Sequence, residues 1–331
     1  MGTISPDRIL HEMADLWVSL GKQGEGEAGV LRACSMTLVV AAEESDDPQD
    51  IGETLARLMP EHPSRAMVIR FRPGKQRELS ARVFAQCWMP FGQRQQICCE
   101  QIEITASDAS VPDLAPVVLP LVAADLPVIL WCRSPRVFHL DTFPQLEAIA
   151  TKLVLDSSAF PDPKAILREM SGALAGGRSL AELSWGRLTR WREIIAQTFE
   201  NRGQMAKLPR IAEVRISHSG AAAPVTAYYM AAWLVDGFGA LGIRLKAGFQ
   251  SIDAETPEMK RVELLSRAGE TVASIGLVEG RAAEVRVGAL VTRAVLARPT
   301  DCSLMREELS IPGRDPVFAR TLSAAAELAL S

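Results

Sequence analysis

Little in this sequence is abundant enough to announce a chemistry. Histidine occurs four times, at His11, His62, His139 and His218, and none neighbours a G-x-S-x-G elbow or an H-E-x-x-H helix. That leaves no nucleophile–base pair or zinc helix legible in the chain. Cysteine occurs six times (Cys34, Cys87, Cys98, Cys99, Cys132 and Cys302) with no C-x-x-C pair and no zinc spacing. All six are expected as thiols, with Cys34 and Cys132 acting as small hydrophobes inside strand-like runs. Cys98 and Cys99 are adjacent on a strand and point to opposite faces, which argues against a joint redox role. Basic residues are not in excess: 36 Lys and Arg against 40 Asp and Glu give a net charge of −4, without the basic surface a nucleic-acid binder needs. No apolar run reaches membrane-spanning length, the longest being broken by Pro, Asp or Arg, and no apolar segment follows the opening M-G-T-I-S-P-D-R. The expectation is a cytoplasmic protein with neither nucleic acid nor membrane as partner.

Phosphate loops are also missing where they would matter. G-x-G-x-x-G occurs at Gly237, Gly239 and Gly242, but after an apolar helical stretch and before a strand, the reverse of the order that brings helix N–H groups to a pyrophosphate. A helix end and turn account for these glycines. The N-terminal strand ends lead into D-D-P, S-P-R and D-S-S-A-F-P instead of glycine loops. No metal or cofactor is predicted.

What is present is ordinary globular composition, 48% hydrophobic and 23% charged, over 331 residues, enough for two domains. Ser5-Pro6 starts a helix whose stripe is Ile9, Leu10, Met13, Leu16, Trp17 and Leu20, with Gly21 ending it. The stripe is too apolar for water, so the helix must dock, and the Gly-rich linker through Gly29 favours its own body over another chain. From Val30 strands and helices alternate: strands over 31–41, 66–71, 83–88, 97–105, 126–132 and 152–156, helices over 48–58, 111–124, 143–150 and 163–175. This predicts an α/β domain over 30–176 with a largely parallel, helix-covered mixed sheet. Gly176-Gly177 marks a boundary. Beyond it, strands over 211–217, 243–252, 260–266, 271–276 and 283–287, with helices over 224–235 and 316–330, predict an α+β domain over 177–331 with a mainly antiparallel sheet.

The densest local feature runs from Leu183 to Phe199. Trp185, Arg187, Arg190, Trp191 and Arg192 crowd into eight residues of a chain that is only 5% aromatic. Ser179-Leu-Ala-Glu182 reads as a capping box and Thr189 as the cap of a second helix, whose Trp191, Ile194, Ile195, Thr198 and Phe199 share one face. Tryptophans at that spacing are core anchors by default, while guanidinium groups beside indoles also suit recognition. These five residues are the candidate interaction site.

The pattern Trp185-x-Arg187-Leu188-x-x-Trp191-Arg192 resembles the signature of the glucose-6-phosphate dehydrogenase assembly proteins, the OpcA family. Further stretches resemble that family in order: Arg32-Ala-Cys-Ser-Met-Thr-Leu-Val-Val40, His62-Pro-Ser-Arg65, Cys99-Glu-Gln-Ile102, Leu119-Pro-Leu, Asp125-Leu-Pro-Val-Ile-Leu-Trp131 and Leu155-Asp-Ser157. The chain departs from the pattern at Ser184 and Arg190, where the family favours Asn and Pro, and near Cys132, where it favours a second Trp. The resemblance implies a non-catalytic protein that binds glucose-6-phosphate dehydrogenase and favours its active oligomer, so no catalytic residue is assigned; self-association is left open. The competing reading is a sugar-phosphate- or nucleotide-binding enzyme using the strand ends at Arg133–Asp141 and Asp156–Ser158.

Overall fold

A computed structural model of the chain describes residues 5–23, 30–90, 95–141, 143–200, 202–253, 255–278, 282–311 and 313–330. The elements of the first half are α1 (Pro6–Gln23), β1 (Val30–Arg32), β2 (Met36–Glu43), α2 (Pro48–Leu58), β3 (Ser64–Arg72), β4 (Leu79–Trp88), β5 (Gln96–Ser107), α3 (Val111–Val118), β6 (Val128–Cys132), α4 (Pro135–Phe138), α5 (Phe143–Glu147), β7 (Lys152–Leu155) and α6 (Pro163–Ala175). Then come β8 (Leu180–Glu182), α7 (Leu183–Gly186), α8 (Thr189–Thr198), α9 (Arg202–Met205), β9 (Ile211–Ser219), α10 (Val225–Ala240), β10 (Lys246–Asp253), β11 (Met259–Ser266), β12 (Thr271–Val278), β13 (Ala282–Val287), β14 (Leu290–Val295), α11 (Asp301–Leu309) and α12 (Pro316–Leu328).

The chain forms two compact units that do not follow chain order. One holds Met1–Ala159, Ser179–Ala181 and Asp301–Gly313; the other holds Phe160–Arg178, Glu182–Thr300 and Arg314–Ser331. The first sheet has strand order β1-β5-β3-β2-β6-β7-β8, with β4 antiparallel to β5. The β1–β5, β5–β3, β3–β2, β2–β6 and β6–β7 ladders are parallel. From β5 to β8 this is the doubly wound order in which a central first strand has later strands on both sides. The central strand β2 is buried along Met36–Ala42 because a parallel strand between two neighbours meets apolar groups on both faces. The second sheet runs β10-β9-β11-β12-β13-β14, antiparallel except for the β10–β9 pair. α10 packs on β9 and β10, and α12 and α6 pack against α10. The predicted class, a largely parallel α/β sheet followed by a mainly antiparallel α+β sheet, is what the fold has.

Three principal helices begin at an Asp-Pro step. Asp47, Asp162 and Asp315 each accept a backbone N–H from the first turn, and the proline occupies a position whose own N–H would be unpaired. α1 does dock on its own body. Ile9 and Met13 are buried where it lies on β4, Leu16, Trp17 and Leu20 are half-buried, and Leu10 points outward. The helix continues through Gly21 to Gln23, and linker residues 24–29 lie outside the described residues.

Several expectations need correcting. The single strand expected over 31–41 is two, because Ala33–Ser35 leave the ladder between β1 and β2. Residues 180–182 join the first sheet as β8, so Ser179 is no helix cap; Glu182 caps α7 instead, accepting Ser184 N–H at 2.7 Å. Thr189 is the first residue of α8. β14 and α11 lie outside the pattern read from the sequence, β14 because it is exposed along most of its length. The six-thiol expectation fails at one pair: Cys87 and Cys98 are disulfide-bonded, being directly opposite each other on β4 and β5 with Cα atoms 4.1 Å apart. Cys34, Cys99, Cys132 and Cys302 are thiols; burial pushes Cys99 to about 11 and Cys132 to about 12, which leaves both weak nucleophiles at neutral pH.

Candidate functional site

A doubly wound sheet offers its crevice at the carboxyl ends of the strands where the order reverses, here β2 and β6. Glu43 closes β2, and Ser134-Pro-Arg136 follows β6. Arg136 forks onto Glu43, Nε to Oε1 at 2.9 Å and Nη2 to Oε2 at 2.6 Å, while its Nη1 donates to Asp108 at 2.6 Å. Ser134 donates to the same Glu43 carboxylate, and its oxygen accepts Val137 N–H at 3.1 Å to cap α4. Burial alone would raise the Glu43 carboxyl, but the hydrogen bonds from Arg136 and Ser134 outweigh it and hold the group below the ordinary range. Those bonds to Glu43, with Asp108 behind them, raise Arg136.

The approach to α2 is acidic. Where a phosphate-binding turn would carry glycines, the chain reads Glu43-Glu-Ser-Asp-Asp47. Asp47 spends its carboxylate on Gln49 N–H at 2.9 Å, at the helix end where a pyrophosphate would sit. Arg133 stacks on Trp131 and pairs with Asp50 at 2.9 Å. Arg70 bonds Glu103 and the Asp46 carbonyl, each at 3.0 Å. Arg133 and Arg136, on the strand end that the enzyme reading invokes, are thus both engaged by carboxylates. His139 is the C-cap of α4, and Asp156 accepts both the N–H and the hydroxyl of Ser158, an Asx turn. The G-x-G-x-x-G stretch is a helix end: Gly237 and Gly239 lie within α10 and Gly242 follows it at φ +76°.

The tryptophan–arginine stretch is a packing centre of the second unit. Trp185, only 3% exposed, meets the rings of Tyr229 and Phe318 and donates its indole N–H to Asp315 at 3.2 Å. The Arg192 guanidinium lies 3.6 Å from the centre of that indole, and its Nη2 reaches Thr189 Oγ1 at 3.0 Å. Trp191 is buried beside Ile194 and Ile195 on one face of α8, as the spacing predicts. Arg187 donates to Ser184 Oγ at 3.3 Å, and buried Glu182 accepts the Tyr229 hydroxyl at 3.3 Å. Of the five candidate residues, Arg190 alone is exposed, paired with Glu193 at 2.9 Å.

A second convergence lies at the amino ends of the first sheet. Glu100, 3% exposed, receives Arg65 Nε at 2.6 Å, Arg32 at 2.5 Å and the Trp17 indole N–H at 2.6 Å. Arg65 also donates to the Leu121 carbonyl at 2.6 Å, and Cys99 Sγ to the Ala33 carbonyl at 3.3 Å. Segments around 32–40, 62–65, 99–102 and 119–121, separate in sequence, thereby meet at one buried carboxylate that also fastens α1. Neither this node nor the Glu43–Arg136 pair is visible in sequence, since each joins residues more than 30 apart; a buried-strand Glu beside an H-P-x-R step was the available signal.

Among the described residues, no group of three His, Cys, Asp or Glu side chains could hold a metal ion, and no helix is long and apolar enough to cross a membrane.

The fold and site define a class: a Rossmann-type α/β body joined to a second sheet, with ion-paired carboxylates where dinucleotide phosphates would lie. Comparison with known proteins narrows this. Residues 56–172 match the family described as the glucose-6-phosphate dehydrogenase subunit N-terminal domain, and residues 178–322 match its C-terminal domain. The chain belongs to the OpcA family. It is 26% identical over 198 residues to a Nostoc punctiforme protein provisionally named OxPP cycle protein OpcA, covering 59% of this chain and 41% of that one. A Synechococcus elongatus protein of the same provisional name is 27% identical over 212 residues, covering 62% and 47%. The matched region therefore spans less than half the length of these relatives. Among solved structures, Synechocystis biliverdin reductase aligns at TM-score 0.47 and 11% identity over 89% of this chain and 98% of that one. The 3-ketoreductase KijD10 of Actinomadura kijaniata aligns at 0.45 and 10% over 89% and 96%. Likeness at that level says nothing of activity.

Proposed function

We propose that this protein is a non-catalytic assembly factor of the oxidative pentose-phosphate pathway that binds glucose-6-phosphate dehydrogenase in the cytoplasm and favours its active oligomer. The observation that carries this reading is the family match across both halves of the chain, 56–172 and 178–322. The acidic, ion-paired strand ends support it, because a dinucleotide phosphate there would face Glu43 and Asp47. Activation follows from differential binding: a protein that binds the active assembly more tightly than the inactive one shifts the population toward it. Within this reading the exposed Arg190 is the candidate contact on the signature stretch, and Trp185, Arg187, Trp191 and Arg192 hold it in place. The test is co-purification with the cognate dehydrogenase, alongside thermal shift assays with glucose 6-phosphate and NADP. Co-purification without a ligand-induced shift is expected. A specific shift with NADP and no association would return the chain to the enzyme reading.

A further inference from the structure

The outer face of the second sheet carries a charge pattern that fits itself. One face of this sheet is buried: Val262, Leu264, Ala273, Ile275 and Val285 point inward, on the side of Ile216 and Phe249 where α10 packs. On the opposite face, Arg261 and Glu263 of β11 flank Gly276 and Ser274 of β12. Glu284 and Arg286 of β13 flank the same two residues from the other side. The four charged residues therefore form the corners of a square with signs alternating around it, and the small residues of β12 form its floor. The floor is small, and a Cβ on Gly276 would lie 2.9 Å from Arg261 Nε, so a larger residue there would require the Arg261 side chain to shift. Above it lies an open trough of about 400 Å³.

A square of alternating charges complements its own copy when turned over about an axis in its plane. With that axis along β12, Glu263 meets Arg286 of a second copy and Arg261 meets Glu284. With the axis across the strands, Glu263 meets Arg261 and Glu284 meets Arg286. A two-fold interface requires one patch to fit itself in this way, and no single-sign surface can do so. On β14 the exposed Val291 and Val295 lie beside Arg286 and Ala282, with exposed Arg293 between them opposite Glu284. Six strands about 4.8 Å apart, each offering about six residues, give roughly 600 Å² per copy, or about 1,200 Å² in total, the lower bound for a specific interface. We propose that this face is a two-fold docking surface for a second copy of the same chain.

Sedimentation equilibrium of the full chain over a dilution series tests this, with two double variants whose folding is checked by circular dichroism and melting. Arg261→Glu with Arg286→Glu makes all four corners acidic; Glu263→Arg with Glu284→Arg makes them all basic. Wild type should show a mass of about 72 kDa, twice the 35.9 kDa chain, and dissociate as salt is raised. Each double variant alone should sediment as a monomer, and an equimolar mixture should recover the dimer mass. A monomeric wild type at every concentration would overturn the proposal. So would a salt-insensitive dimer, or double variants that keep the wild-type mass. If wild type is monomeric and both variants instead lose dehydrogenase binding, the face belongs to the dehydrogenase and not to a second copy.

Discussion

Trp191 illustrates how residue chemistry and position jointly decide a role. An indole among arginines suits recognition, yet this one is buried with Ile194 and Ile195 beneath α8. Trp191→Ala should cost about 3–5 kcal/mol, the range for large-to-small changes in a packed core. Urea unfolding gives the cost. Glu43 makes a different statement, one that depends on pH. Its carboxyl is held below the ordinary range, so the fold favours the ionised form. That contribution is fully present above the unfolded value of about 4.3 and is lost as pH falls through the folded value. Glu43→Gln should therefore lower the melting temperature at pH 7, and the gap from wild type should narrow below about pH 4. A gap that stays constant across this range would assign the loss to shape and not to charge.

At the level of elements, local chemistry was legible wherever it was strong and misleading where it was ambiguous. Asp-Pro steps announced α2 and α12 because cap and first turn are specified within a few neighbouring residues. Ser179–Glu182 carries the letters of a capping box, but its backbone pairs into the first sheet, a tertiary outcome that no four-residue pattern encodes. The Cys87–Cys98 bond depended on the β4–β5 register, and the Glu100 node on strands brought together from far apart in sequence. The candidate site was legible as a motif and not as an environment: spacing placed Trp191 in the core, but nothing in sequence showed Arg192 lying on Trp185. The glycine motif offers a sharp test of local reading. Gly237 and Gly239 are helical with open space around them, so alanine at either should stabilise by roughly 0.5–1 kcal/mol. Gly242 has φ +76°, and alanine there should cost about 1 kcal/mol. Denaturant midpoints of the three variants check both signs; a phosphate loop would give the opposite result at Gly239. α1 behaves as a docked element, so deleting it through Gln23 should lower the melting temperature and expose the apolar face of β4 to a hydrophobic dye. Ile9 and Met13 alone bury enough to contribute about 1.5–3 kcal/mol each.

For the whole molecule, the doubly wound sheet places Glu43, Asp47 and Arg136, all engaged in hydrogen bonds or ion pairs, at the strand ends where a dinucleotide phosphate would lie. The proposed partner, glucose-6-phosphate dehydrogenase, rests on the family match over both halves. The most direct measurement is velocity sedimentation of the cognate dehydrogenase with and without this protein, with specific activity assayed on the same samples. The account predicts co-sedimentation, a shift of the dehydrogenase toward its larger active assembly, and a matching rise in specific activity. A dehydrogenase whose sedimentation and activity are unchanged by a saturating excess of this protein would contradict it.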